Sequence, residues 1–355
     1  MTMRLDPMVR DGYAVWADEH PGMIALGVWT EKRDGAGEDA EPAVLHHWPT
    51  ASGVLAVCDG VGGAGVHIAG RTADGVEHTG AWTAARAVRL AVEQWFAARV
   101  LAGAGDGHRP YETGLDASIR DTLAGLRGPA RSRILGTMQR EFPTTLALIR
   151  YEPDRRDADA VRLDVRWAGD SRCYLLVPES GLHQLSEDDT DLPDALESMS
   201  QDPPMTNQIS ASRDFTVHSR RMSAGIVRPL VLLCATDGFF NYVRTPAHFE
   251  YVLVDTLLEA SSAAHWGRLL VDAVTGYTQD DATLALTALG YNSFDHLKLH
   301  FQERRTHLFY EHVVPMESVD PADTEAFQQA RLASWTRYRG GYERMLPVAG
   351  TEASG

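Results

Sequence analysis

The chain alternates between short, nearly continuous apolar runs and longer stretches whose apolar residues recur at three- and four-residue steps. The runs "GMIALGVWT", "SGVLAVCDG", "TTLALIRY", "VRLDVRWAGDSRCYLLV", "FTVHSR", "PLVLLCATDG" and "ATLALTAL" are rich in Val, Leu and Thr and bounded by Gly, Asp or Pro, which predicts strands. From about Thr79 to Val100, Trp82, Ala85, Val88, Val92 and Phe96 share one face of a predicted helix, and Ile119, Leu123 and Leu126 mark a second. A third, near Tyr251 to Val274, is apolar enough to lie on a sheet. Two helices fall between the second and third strands, while later strands follow closely on one another. The pattern therefore predicts an α+β fold of mainly antiparallel sheets covered by helices, not regular βαβ alternation.

Beyond Leu289 the pattern changes. Phe294, Leu297, Phe301 and Leu308 form one helical face. A further helix is predicted from Asp320 as N-cap and Pro321 as first helical residue, with Phe327, Ser334, Trp335, Tyr338 and Tyr342 in a stripe. This divides the chain into a domain over residues 1–290 and a helical extension over 291–355, expected to pack on that domain and to fray at "VAGTEASG"; a surface for a partner is the alternative. The segment from Leu185 to Asp214 is acidic and broken by proline, which predicts a surface excursion.

Composition narrows the function classes. With 33 Lys and Arg against 49 Asp and Glu, the net charge of -16 argues against a general nucleic-acid or anionic-membrane binder. The N-terminus has no apolar core followed by a cleavage site, and no long apolar run appears, so a cytoplasmic location is expected. Cys58, Cys173 and Cys234 each sit inside a strand-like run and read as small buried hydrophobes rather than as a disulfide framework or a zinc site.

The chemistry lies in acids at strand ends. Asp59 closes one apolar run, Asp237 closes another with the same Asp-Gly pair, Asp280 and Asp281 precede a third, and Glu38-Asp39 follow the first through a Gly-rich loop. An Asp-Gly pair also serves as an ordinary turn. Carboxylates gathered at one place repel one another unless a cation lies between them, and hard oxygen ligands suit Mg²⁺ or Mn²⁺.

"VLAVCDGVGGAG", "PTTLAL", "WAGDSRCYLL", "LVLLCATDGFF" and "DDATLAL", in this order, resemble the metal-dependent protein phosphatases of the type 2C (PPM) family in its bacterial form, over about Tyr13 to Leu289. The resemblance implies two packed antiparallel sheets flanked by helices, with two divalent cations, Mn²⁺ or Mg²⁺, in a cleft at one end. It implies that Asp59 bridges the metals, that Gly60 offers its carbonyl, that Asp237 and Asp280 are further ligands, and that Asp39 with Glu38 reaches the metals largely through water. Asp281 and His67 stand as secondary members. Arg33, with Lys32 as the nearby alternative, falls where the family grips the substrate phosphate, and a guanidinium fork fits phosphate oxygens. The implied reaction is hydrolysis of phosphoserine or phosphothreonine by direct attack of a metal-bridging hydroxide, with no phosphoenzyme. Such an enzyme would act on a phosphoprotein, opposing a cognate serine/threonine kinase.

The pattern also departs from the family. Val61 and Ala64 stand where members carry a histidine proposed as general acid, leaving His67 as the nearest candidate to face the cleft. Arg140 and Glu141 stand where some members hold a third-metal aspartate. Asp170 is read first as tying a turn between strands. The acidic 185–214 segment corresponds to the family's variable flap. The alternative function is a catalytically weak phosphatase-like scaffold that binds a signalling partner.

Overall fold

The structure is a computed structural model that describes residues 2–3, 8–10, 12–62, 65–71, 75–103, 114–126, 141–157, 159–192, 194–201 and 203–346. One sheet runs, in spatial order, β1 (Thr2–Met3), β5 (Ala43–His47), β6 (Ser52–Val57), β9 (Leu146–Pro153), β10 (Val161–Ala168) and β13 (His218–Met222). The other runs β12 (Gly181–Gln184), β11 (Arg172–Val177), β14 (Leu230–Ala235), β15 (Ala282–Leu289), β4 (Met23–Thr30), β3 (Tyr13–His20) and β2 (Met8–Arg10). Every pairing in both is antiparallel. A small hairpin, β7 (Ile68–Arg71) with β8 (Glu77–Thr79), stands apart.

Strand periodicity explains why these runs look uniformly apolar. Along β6, Leu55 and Val57 face a core shared with Leu230, Leu232 and Cys234 of the other sheet. Val54 and Ala56, together with Cys58, face α1 (Gly80–Gly103) and α2 (Gly114–Leu126). Along β14, Val231, Leu233 and Ala235 turn the other way, onto α5 (Pro246–Glu259) and α6 (Ala263–Tyr277). Side chains alternate between faces, so a strand covered on both sides needs apolar residues at every position. The result is four layers, helices, sheet, sheet and helices, in agreement with the α+β expectation.

Two helical expectations need correction. The stretch from Tyr251 to Val274 is not one helix. α5 ends at an extended Ala260, and α6 begins at Ser262, whose side chain accepts a hydrogen bond from the His265 amide. A serine cap in mid-pattern outweighs continued apolar spacing. The last helix starts later than Asp320: Asp323 is its N-cap and accepts from the Ala326 amide, while Asp320 accepts from Ala322 in the preceding turn. The excursion at 185–214 contains a short helix, α3 (Ala195–Gln201). The remaining helices are α4 (Asp237–Phe240), α7 (Phe294–Leu308), α8 (Val314–Glu317) and α9 (Thr324–Tyr342). "VAGTEASG" lies outside the described residues.

The last helices pack on the second sheet's outer layer. Glu250 of α5, fully buried, accepts from Arg304 of α7 at 2.6 and 2.7 Å and from the Tyr338 hydroxyl of α9 at 2.5 Å. The aromatic stripe faces inward: Trp335 donates to Asp194, and the Tyr342 hydroxyl contacts that of Tyr174. No helix among the described residues is long and apolar enough to cross a membrane.

Two buried histidines make this fold acid-sensitive. His46 contacts the Tyr151 hydroxyl at 2.8 Å, and His312 contacts the Ser334 hydroxyl at 2.9 Å. Burial, aided by neighbouring cationic groups, lowers both imidazoles to about 4. The folded state keeps them neutral while the unfolded chain protonates near 6.5, so stability is full above pH 6.5 and is lost as pH falls toward 4. Thermal melts from pH 7 to 4 should show a shallower loss for His46→Gln/His312→Gln than for the native chain; equal slopes would refute it.

Candidate metal centre

Antiparallel pairing brings the acids together. The end of β14 lies beside the start of β15, where Ala235 pairs with Leu284, and the start of β15 lies beside the end of β4, where Ala282 pairs with Thr30. On the facing sheet the end of β6 lies beside the start of β9, Val57 opposite Ala147, and the end of β10 lies there too, Ala168 opposite Leu146. Asp237, Asp280, Asp281, Glu38, Asp59 and Asp170 therefore meet at one end of the sandwich. Glu38, Asp59, Gly60, Asp170, Asp237, Asp280 and Asp281 line one cleft of about 430 Å³.

Each member is held differently. The Asp59 backbone is clamped by the "PTT" segment: its carbonyl accepts from the Thr144 hydroxyl at 2.7 Å and the Thr145 amide at 2.9 Å, and its amide donates to the Thr145 hydroxyl at 3.1 Å. Asp39 is buried behind Asp59, its Oδ2 accepting from the hydroxyls of Thr236 and Thr283 at 2.9 and 2.7 Å. Asp281 anchors the β4–β5 loop by accepting from the amides of Lys32 and Glu38 at 2.8 and 2.7 Å. Asp237 opens α4.

The glycines after the aspartates answer to close packing. A Cβ on Gly60 would stand 2.6 Å from the Glu38 carbonyl oxygen, and one on Gly238 would overlap the Asp281 carbonyl. The missing side chains let the loops that carry Glu38 and Asp281 close onto the strand ends.

Other residues fall outside the cleft lining. Arg33 and Lys32 sit on the exposed turn before Glu38. His67 packs edge-on to Phe142, ring centroids 5.2 Å apart, and occupies the space over Gly80. Glu141 pairs with Arg213 at 2.7 Å, and Arg140 lies outside the described residues. Asp170 lines the cleft, and the side-chain bond to the Gly169 amide comes from Asp189 instead, at 2.9 Å. From the excursion, Pro203, Pro204, Met205 and Gln208 form one wall.

Electrostatics test whether this set fits divalent cations. Asp59 is pushed well above the usual carboxylate range by burial, and further by Asp39, Asp170 and Asp280. Asp39 is pushed up by burial and by Asp281, and it shares a hydrogen bond with Asp59. Burial also raises Glu38. Carboxylates this close cannot all ionise without a compensating positive charge. Among the described residues no three His, Cys, Asp or Glu side chains converge on one ion-sized point. The cleft donors are all hard oxygens, the kind that Mg²⁺ and Mn²⁺ prefer. In the chemistry of its donors, this set suits such a group.

Sequence reasoning missed the threonines. Thr144, Thr145, Thr236 and Thr283 each hold a cleft aspartate or its backbone. Their signal was present, because each lies inside one of the quoted motifs.

No family model and no curated protein matches the chain. Solved structures do. The chain is similar to PppA of Pseudomonas aeruginosa, described as a key regulatory component of T6SS, at 16% identity over 77% of this chain and 99% of that one, TM-score 0.48. It is similar to the serine/threonine phosphatase PstP/Ppp of Mycobacterium tuberculosis, at 18% identity over 79% and 98%, TM-score 0.47. The PPM Ser-Thr phosphatase MsPP of Mycobacterium smegmatis gives 16% identity over 75% and 98%, TM-score 0.48.

Proposed function

We propose that the protein is a metal-dependent protein serine/threonine phosphatase. One observation carries the reading: Asp59, Asp237 and Asp280, from three distant parts of the chain, line one cleft in which the carboxylates carry more negative charge than they can hold alone. Asp59, the Gly60 carbonyl, Asp237 and Asp280 would hold two cations, Mn²⁺ or Mg²⁺, with Asp39, Glu38 and Asp281 in support. When bound, such ions acidify a water and neutralise charge on phosphoryl oxygens.

The chain's own groups then do the positioning. The Thr144-Thr145 clamp fixes Asp59, and the Thr236 and Thr283 hydroxyls fix Asp39 behind it. Arg33 takes the substrate phosphate from a turn whose neighbouring Lys32 and Glu38 amides are pinned by Asp281. No histidine lines the cleft among the described residues, so solvent in the cleft protonates the leaving oxygen. The substrate is a phosphoprotein, and a cognate serine/threonine kinase is the natural counterpart.

That lack of a histidine favours one second reading, a phosphatase-like scaffold that binds a signalling partner. The aromatic stripe it would use is buried against Tyr174 and Asp194. Hydrolysis of a phosphothreonine peptide decides between the two. Turnover with Mn²⁺ that EDTA removes is the expected result; no turnover at saturating metal would leave the scaffold.

A further inference from the structure

At the opposite pole of the first sheet a second cavity, of about 650 Å³, opens between the sheet and the C-terminal end of α1. It is lined by the start of β6, the end of β9, the start of β10 and the last turns of α1. Four residues of β9, Leu146 to Ile149, separate its first lining residue on that strand, Arg150, from the cleft end of the strand, roughly 13 Å at 3.3 Å per residue.

Its chemistry is the reverse of the cleft's. Four guanidinium groups line it, Arg99, Arg150, Arg155 and Arg162, against two carboxylates, Glu152 and Asp154, in a chain whose net charge is -16. Arg150 is a built-in element rather than a surface side chain, with its side chain 9% exposed. Its Nη1 donates to Glu152 at 2.6 Å, but its Nε lies 3.7 Å from Asp164, beyond hydrogen-bond length. Arg162 repeats the arrangement, at 3.0 Å from Glu152 and 3.7 Å from Asp154. The Nε groups of both arginines are buried without a hydrogen-bond acceptor among the described residues. Arg155 is exposed and makes no ion pair among them.

The carboxylates present therefore leave the Nε donors of Arg150 and Arg162 under-satisfied. Burial would raise the Glu152 carboxyl, yet Arg150, Arg162 and Arg99 outweigh it and hold Glu152 below its usual range. A concave site with surplus guanidinium focuses positive potential, and the guanidinium fork matches phosphate oxygens in pairs. Thr50 and Ser52 add hydroxyls at the wall, and Val100 and Pro153 add apolar surface. The volume lies in the range of small-molecule sites and is too large for a lone inorganic ion.

We propose that this cavity binds a small organic phosphate carrying two or more negative charges, of about nucleotide size, at a site separate from the acidic cleft. The assignment does not depend on the phosphatase reading, because it uses none of the cleft residues.

Calorimetric titration of the full chain in EDTA at low salt tests it, with inorganic pyrophosphate and a nucleoside triphosphate as probes and citrate as a non-phosphate anion. One phosphate probe should bind with unit stoichiometry, at least tenfold more tightly than citrate. Arg155→Gln and Arg162→Gln together should weaken it at least tenfold, Glu152→Gln should tighten it, and Asp237→Asn should leave it unchanged. Arg155 is exposed, so Arg155→Gln alone tests the site without touching the core. No binding of either phosphate at millimolar concentration, equal binding of citrate, or affinity unchanged by the two arginine variants overturns the proposal. Tighter binding in Asp237→Asn, which removes a negative charge from the metal-free acidic cleft, would move the phosphate there and overturn it equally.

Discussion

Asp59→Asn is expected to lower Mn²⁺-dependent hydrolysis of a phosphothreonine peptide by on the order of 10³-fold or more. Losing the metal ligand proposed at this position would forfeit several kcal/mol of transition-state stabilisation, and about 1.4 kcal/mol is a factor of ten. The same substitution should raise the melting temperature in EDTA at neutral pH. Asp39 and Asp59 are both pushed above their unfolded-state values by burial and by neighbouring acids. Their contribution to stability is therefore complete below the unfolded value near 4 and is lost as pH rises through the raised folded value. An amide at position 59 removes one of the two charges that cause this loss. Lower activity joined to a higher metal-free melting temperature separates a functional acid from a structural one. A variant that keeps its activity, or that melts lower in EDTA, would refute the assignment.

Glu250→Ala is expected to destabilise the chain by about 3–5 kcal/mol, because it leaves Arg304 without its carboxylate in a buried setting. It also deprives the Tyr338 hydroxyl of its acceptor, so α7 and α9 lose the group that joins them to α5. Replacing the pair with apolar residues of similar size, Glu250→Leu with Arg304→Met, should recover most of the loss, since a buried ion pair repays little beyond its own desolvation. Chemical denaturation of the native chain and the two variants measures this. A cost under about 1 kcal/mol for Glu250→Ala would mean that the last helices are held by packing alone.

Much of the architecture was legible because strands covered on both faces leave an unmistakable run, as in "SGVLAVCDG" and "PLVLLCATDG". The break at Ala260 was not, because the apolar spacing continues across it and only the Ser262 cap interrupts the helix. Gly-Asp-Ser reads as a turn at Asp170, and the tertiary structure also sets Asp170 in the cleft wall, while the Gly169 amide donates to Asp189 further along the chain. His67 was the nearest histidine in sequence to the acidic motif, yet it packs on Phe142. Proximity along a chain says little about direction in space.

The sequence alone placed oxygen donors at the ends of apolar strands, most of them beside a small residue, through local propensity and turn preference. Tertiary structure alone decided how those acids share their surroundings. Antiparallel register brought separate strand ends to one cleft, placed Asp39 behind Asp59, and gathered four arginines at the other pole. The reason is physical: burial and like-charge proximity arise between segments far apart in the chain, and no local pattern encodes the distance between them.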